Sequence, residues 1–141
     1  MNHPFNYIGC FVKSGTLHKA IRSIRQKPLE NDIQFPHITF SYMPEEVNQE
    51  LFGTLVSITV IGYGNDGNNE GLLVQLSSEN KDVQEMIDKI QVPHITISVS
   101  NNGQPVNTRY LSFSAIEPIH LTGKVGGYAY WGKVIFRRRK K

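Results

Sequence analysis

Two hexapeptides hold the residues best suited to chemistry in this chain, Pro36-His37-Ile38-Thr39-Phe40-Ser41 and Pro93-His94-Ile95-Thr96-Ile97-Ser98, which agree at five of six positions. Each reads as a short β-strand, because Ile, Thr and Phe fit a pleated, half-buried surface and a leading Pro is tolerated at a strand start. The two-residue period of a strand places His37 and Thr39 on one face with Ile38 and Phe40 on the other, and it repeats this for His94 and Thr96 against Ile95 and Ile97. An imidazole beside a hydroxyl, presented twice, suits a phosphate group. With an unperturbed pKa of about 6.5, one imidazole can be neutral and take a proton while the other is charged and gives one. Phosphodiester cleavage needs such a base at the attacking hydroxyl or water and such an acid at the leaving oxygen, each worth about 10² to 10⁴ in rate. The threonine hydroxyls can hydrogen-bond the non-bridging oxygens.

A strand histidine satisfied by a backbone carbonyl, with Thr present for its β-propensity, is the structural alternative for either copy taken alone. Fold by itself does not demand the same His and Thr twice. A third triplet, His120-Leu121-Thr122, lacks both the preceding Pro and the following apolar residue and reads as structural or solvent-facing. The chemistry described requires no metal and no cofactor. The sequence holds no compact carboxylate cluster of the kind that binds magnesium or a metal pair, and His37 and His94 lack further obvious zinc ligands. Cys10 is the only cysteine, so neither an intramolecular disulfide nor a cysteine-rich zinc site can form. It reads as a small buried residue of the first strand, in keeping with a reducing cytoplasm.

The elements that must position the two motifs follow from pattern. Residues 5–12 form an apolar first strand, and a helix over 16–26 carries Leu17, Ala20, Ile21 and Ile24 on one face, with Ser14 or Thr16 able to cap it. A polar loop leads to the first His strand, and residues 44–47 look like a short helical start. Residues 55–63 and 71–76 form a hairpin around an Asn/Asp/Gly loop. A second helix over 79–90 presents Val83, Met86, Ile87 and Ile90 before the second His strand. Residues 100–112 read as a loop and weak strand, and two last strands, 116–122 and 128–136, flank a Gly-rich turn at 123–127. Strand, helix and His strand thus occur twice, a two-copy supersecondary repeat. It implies two similar lobes, about 5–64 and 70–136, related by an approximate two-fold; if the lobes face each other, His37 and His94 converge across a shared cleft.

At 141 residues, 39% apolar and 19% charged, the chain is expected to form one soluble domain over 1–136 with a proper core. No stretch approaches the roughly 18 apolar residues of a membrane span, and the first ten residues hold no recognisable export signal. The net charge is +3. Residues 137–141 contribute five positive charges, and the remaining 10 basic residues face 12 acidic ones. The basic character therefore belongs to a tail, which could steer a polyanion or be a solvated terminus.

The paired Pro-His-Ile-Thr strands, each behind a strand and a helix, resemble the 2H phosphoesterase superfamily. Residues 113–119 with Leu121, Thr122, Gly127 and Tyr128 are similar to that family's closing strands. The resemblance implies a bilobal α+β fold, two pseudo-symmetric β-α-β lobes forming antiparallel sheets around a central cleft. It also implies a metal-independent phosphodiesterase acting on 2′,3′-cyclic or 2′,5′-linked nucleotides and RNA ends. His37 and His94 would be catalytic acid and base, with Thr39 and Thr96 the phosphate ligands. The opening Tyr7-Ile8-Gly9 with Lys13-Ser14-Gly15 is similar to small RNA-repair-like members and to phage enzymes that destroy cyclic-oligonucleotide signals, which makes Tyr7 a candidate substrate contact in the cleft, a core tyrosine being the alternative; the setting expected is cytoplasmic, a host cytoplasm if the protein is viral. Tyr42, Tyr128, Tyr130 and Trp131 could stack a nucleobase, or serve as core and cross-strand pairs. The partner expected is a nucleotide or oligonucleotide, an RNA end or a cyclic oligonucleotide. A non-catalytic module that binds RNA or cyclic nucleotide is the competing reading.

Overall fold

The computed structural model describes residues 3–137, so Arg138 to Lys141 of the expected tail lie outside the described residues. Eight strands are hydrogen-bonded into a single sheet: β1 (Phe5–Phe11), β2 (Asn31–Asp32), β3 (His37–Tyr42), β4 (Leu55–Asn65), β5 (Asn69–Ser77), β6 (His94–Val99), β7 (Ser114–Ala129) and β8 (Val134–Ile135). The order is β2-β6-β5-β4-β7-β1-β3, with β8 on β7, and every pairing is antiparallel. Among the described residues, two helices, α1 (Ser14–Ile21) and α2 (Lys81–Asp88), and 3-10 turns at Gln49–Leu51 and Pro105–Tyr110 complete the fold.

This arrangement corrects the expectation of two pseudo-symmetric lobes with separate sheets. The long central strands β4 and β7 pair from Leu55↔Lys124 to Tyr63↔Ser114, so backbone hydrogen bonds run through what would have been the gap between lobes. The hydrophobic interior is likewise shared. One cluster contains Leu17 and Ile21 of α1, Val83 and Ile87 of α2, Ile38 of β3, Ile95 and Ile97 of β6, and buried apolar residues of β1, β4, β5 and β7. What the repeat does preserve is local register, described below.

Several elements differ from their sequence reading. The glycines of 123–127 lie inside β7 rather than in a turn, because neighbours leave no room for a side chain. A Cβ on Gly123 would lie 2.3 Å from Cys10 Sγ, and one on Gly127 would lie 2.4 Å from Phe5 Cδ1. The turn that does follow β7 uses Gly132, at φ +87°. Pro118, awkward in a strand, falls where the β4–β7 register jumps from Val60↔Ile119 to Gly62↔Ala115, a bulge that relieves it of a ladder donor. Helix α1 ends at Ile21, whose carbonyl accepts from both Ile24 and Arg25, and its N-cap Lys13 makes no side-chain cap, so Ser14 and Thr16 do not serve as one. In α2 the Asn80 side chain caps the amides of Asp82 and Val83. Residues 44–47 are not helical, the loop after α1 contributes the edge strand β2, and the weak strand expected in 100–112 is the 3-10 turn.

Replacing Gly127 with Val is expected to destabilise the fold by about 1 to 3 kcal/mol or more through overpacking against Phe5. Urea denaturation measures this, and an unchanged midpoint would mean that the strand tolerates the side chain and the close packing is wrong.

Candidate active site

Each His-x-Thr motif is held by the same backbone device. Val12 N–H donates to the Pro36 carbonyl and Val74 N–H to the Pro93 carbonyl, both at 3.1 Å. From there Phe11 pairs with His37 and Gly9 with Thr39, as Leu73 pairs with His94 and Gly71 with Thr96. A glycine thus faces each threonine, and in both places a carbonyl of the His strand lies close against it. A Cβ on Gly9 would sit 2.5 Å from the Ile38 carbonyl oxygen, and one on Gly71 3.0 Å from that of Ile95. Immediately beyond, both pairs carry a bulge, with Phe40 and Ile97 as the extra residues. A bulge bends its strand and re-aims the side chains beyond it, and here Ser98 turns inward to bond the buried Glu70.

The two imidazoles are fixed alike. His37 Nδ1 lies 2.8 Å from the Phe35 carbonyl and His94 Nδ1 lies 2.7 Å from that of Val92. A carbonyl only accepts, so each Nδ1 carries the hydrogen, and in the neutral ring Nε2 keeps its lone pair for other work. The strands themselves lie far apart in the sheet, with four others between β6 and β3, yet their Cα atoms approach within 8 Å. The sheet therefore curls, and the rings come close enough that a charge on His94 disfavours one on His37.

Burial is the main cause holding His37 below the ordinary 6.5; the Phe35 carbonyl opposes it, and His94 adds to it. Burial also depresses His94, against the Val92 carbonyl and assisted by the charge of Arg109. Both groups therefore favour the neutral form in the free protein.

Aromatic rings pack around His37. Tyr7 stacks on it at 4.5 Å and 22° and on Tyr128 at 5.1 Å and 4°, and Phe11 lies at 5.4 Å. The register sets this cluster, since Tyr7 pairs with Tyr128 and Phe11 with His37. Burial followed by Tyr128 pushes the Tyr7 hydroxyl far up, so it stays a protonated donor. Tyr7 and Tyr128, expected to contact substrate, are thus placed beside His37. Tyr42, Tyr130 and Trp131 are instead strongly exposed, and Tyr130 and Trp131 pack edge-on against each other.

The two threonines differ. Thr39 is exposed and its hydroxyl has no partner among the described residues. Thr96 Oγ1 lies 2.7 Å from Thr108 Oγ1 and 3.2 Å from the Pro105 carbonyl. Sequence reasoning missed Thr108 and Arg109, because residues 100–112 offered no periodic pattern; Pro105, favoured at the first position of a helical turn, was the available signal. His120 is exposed and faces Thr59 across the ladder. Cys10 is fully buried, its thiol pushed up to about 12 by burial, which leaves it unreactive. Among the described residues no group of three or more His, Cys, Asp or Glu side chains is placed to hold a metal ion. A cavity of about 220 Å³ lined by Ile8, Ser41, Val47, Leu51, Phe52 and Met86, among others, includes neither histidine.

The electrostatics can be checked by NMR titration of the ring protons. Both His37 and His94 are expected to titrate below 6.5; His94→Ala should raise His37, and Arg109→Gln should raise His94. A His37 titration that does not respond to His94→Ala would place the rings too far apart to act on one substrate.

Comparison of the sequence with protein-family models gives no match, and comparison with curated proteins gives none either.

Proposed function

We propose that this chain is a phosphodiesterase that cleaves a nucleotide phosphodiester, a 2′,3′-cyclic phosphate, a 2′,5′-linkage or a cyclic oligonucleotide, by two-histidine general acid and base catalysis without a metal. The observation that supports it most is the matched presentation of His37 and His94. Both carry the Nδ1 hydrogen, neither Nε2 has a hydrogen-bond partner among the described residues, and a charge on His94 disfavours one on His37. One imidazole takes the proton of the attacking hydroxyl or water, and the other delivers a proton to the leaving oxygen. Burial in the free protein favours the base form of both. A bound phosphodiester anion reverses this for one ring, since a negative charge close by favours the imidazolium, so the substrate itself helps create the acid.

Thr39 and Thr96 hydrogen-bond the non-bridging oxygens in this scheme, with Tyr7 donating from beside His37 and Tyr128 backing it. No helix of the described residues is long and apolar enough to cross a membrane. A cytoplasmic setting belongs to the same proposal, resting on the single buried thiol and on a nucleotide substrate.

The test is mass-spectrometric product analysis, with EDTA present, of wild type and variants incubated with nucleoside 2′,3′-cyclic phosphates, 2′,5′-linked oligoadenylates and cyclic di- and trinucleotides. His37→Ala and His94→Ala are each expected to lose about 10² or more in turnover while remaining folded, and His120→Ala to lose nothing. A folded double-histidine variant with full activity would sink the proposal, and binding without turnover would point to the non-catalytic module.

The pH dependence follows from the shifts. The active free protein has one ring neutral and one charged, a state most populated between the two pKa values. Both lie below 6.5, so kcat/KM should form a bell with its maximum on the acid side of 6.5. A maximum well above 7 would contradict that assignment.

A further inference from the structure

From a buried hydrogen-bond chain behind one threonine we infer that Asn69 and Thr108 are positioning residues that hold the Thr96 hydroxyl as a one-way donor into the site, aimed at a non-bridging phosphoryl oxygen. The inference rests on the phosphodiesterase reading above and deepens it.

The chain's direction follows from counting protons. The Asn69 side-chain amide has two hydrogens and no choice but to donate; one goes to the Gln104 carbonyl at 2.7 Å and one to Thr108 Oγ1 at 3.0 Å. Asn69 is 2% and Thr108 0% exposed, so water does not serve either group, and an unmade hydrogen bond there would carry the full desolvation penalty. Thr108 Oγ1 already accepts from Asn69, and Thr96 Oγ1, 2.7 Å away, is its other polar neighbour. The Pro105 carbonyl, 3.2 Å from Thr96 Oγ1, can only accept. A hydroxyl has one hydrogen. If Thr96 gave its own to Thr108, the Thr108 hydrogen would be buried without an acceptor. With Asn69 donating to Thr108, Thr108 to Thr96, and Thr96 to Pro105, all are satisfied.

Thr96 therefore accepts from behind and donates forward, and the longer bond to Pro105 is the one a ligand oxygen would replace. Donors in such a chain polarise one another. Thr39 has no counterpart of this chain and can turn its hydroxyl to donate or accept, so the two motifs are unequal in role. Gly71 makes the arrangement possible. A Cβ there would lie 2.2 Å from Thr108 Cγ2, so Gly71→Ala should displace Thr108 and imitate its loss.

The experiment measures kcat and KM for the panel member that wild type cleaves. Thr108→Val keeps the shape and removes the donor, and it should lower kcat/KM about 10-fold, less than the 10² to 10³ lost with an oxyanion donor outright. The loss should fall mainly on kcat. Thr108→Ser should restore activity to near wild type, and Thr108→Val should cost nothing further in a Thr96→Val background, because it acts through Thr96. In parallel, proton NMR of the intact protein should show a slowly exchanging Thr108 hydroxyl that shifts in Thr96→Val.

Wild-type activity in Thr108→Val overturns the inference, as does the same fractional loss in both backgrounds. A missing or unshifted hydroxyl signal overturns it whatever the activity. If wild type cleaves no panel member while the hydroxyl signal is in place, the phosphodiesterase reading has failed and the role given to Thr108 falls with it.

Discussion

Four strands separate β3 from β6 in the sheet, and the backbone hydrogen bonds that join them are the interaction on which the site depends. Neither histidine takes part in that central pairing. Yet the β4–β7 ladder, with its bulges between Val60 and Gly62, lets the sheet curl until its outer motifs come together. Bulges increase local twist, and a strongly twisted sheet with helices packed on its core side tends to curl rather than lie flat. The curling also explains why one core suffices. Side chains from both helices and from strands of both halves fill a single interior, so the relative position of His37 and His94 is as rigid as close-packed side chains make it.

Electrostatics within the site pull against its proposed chemistry in a useful way. Removing an imidazole from water disfavours its charge, and each histidine also meets a positive neighbour, His94 for His37 and Arg109 for His94. An empty site is thus poised to receive negative charge rather than to hold positive charge. An anion that enters favours protonation of one ring at Nε2 and finds both rings already oriented, because backbone carbonyls hold them through Nδ1. Little reorganisation remains at the moment of reaction, which is where preorganised donors gain their advantage.

The parts legible in the sequence were those governed by short periods. Alternation in the two hexapeptides placed His and Thr on a common strand face, the Asn/Asp/Gly loop marked the β4–β5 hairpin, and the apolar spacing in α1 and α2 located both helices, if not their ends. What escaped was decided by distant neighbours. The glycines of 123–127 look like a turn in isolation and belong in a strand because Phe5 and Cys10 lie against them. The doubled strand-helix-strand order suggested two lobes, but order along the chain does not reveal that β4 and β7 pair with each other. Thr108 and Arg109 lie on an irregular turn whose path is set by contacts with β5 and β6, and no local pattern encodes those.

The repeat is most informative where its copies diverge. Ile8 pairs with Ser41 just past the first bulge, and Glu70 with Ser98 just past the second. At the second position Glu70 is fully buried and bonded by Arg25, Tyr63 and Ser98, while Arg25 also reaches Asp32. Such a carboxylate tolerates no loosening, since removal of one partner of a buried pair typically costs about 3 to 5 kcal/mol. At the first position Ile8 and Ser41 border the 220 Å³ cavity instead. The pocket lies beside the strand that carries Thr39, where the buried carboxylate lies beside the strand that carries Thr96. The difference matches the one between the hydroxyls themselves, one bonded through a buried chain and one exposed. The two halves thus hold their histidines alike and back their threonines differently, Thr96 through side-chain hydrogen bonds and Thr39 through its strand alone.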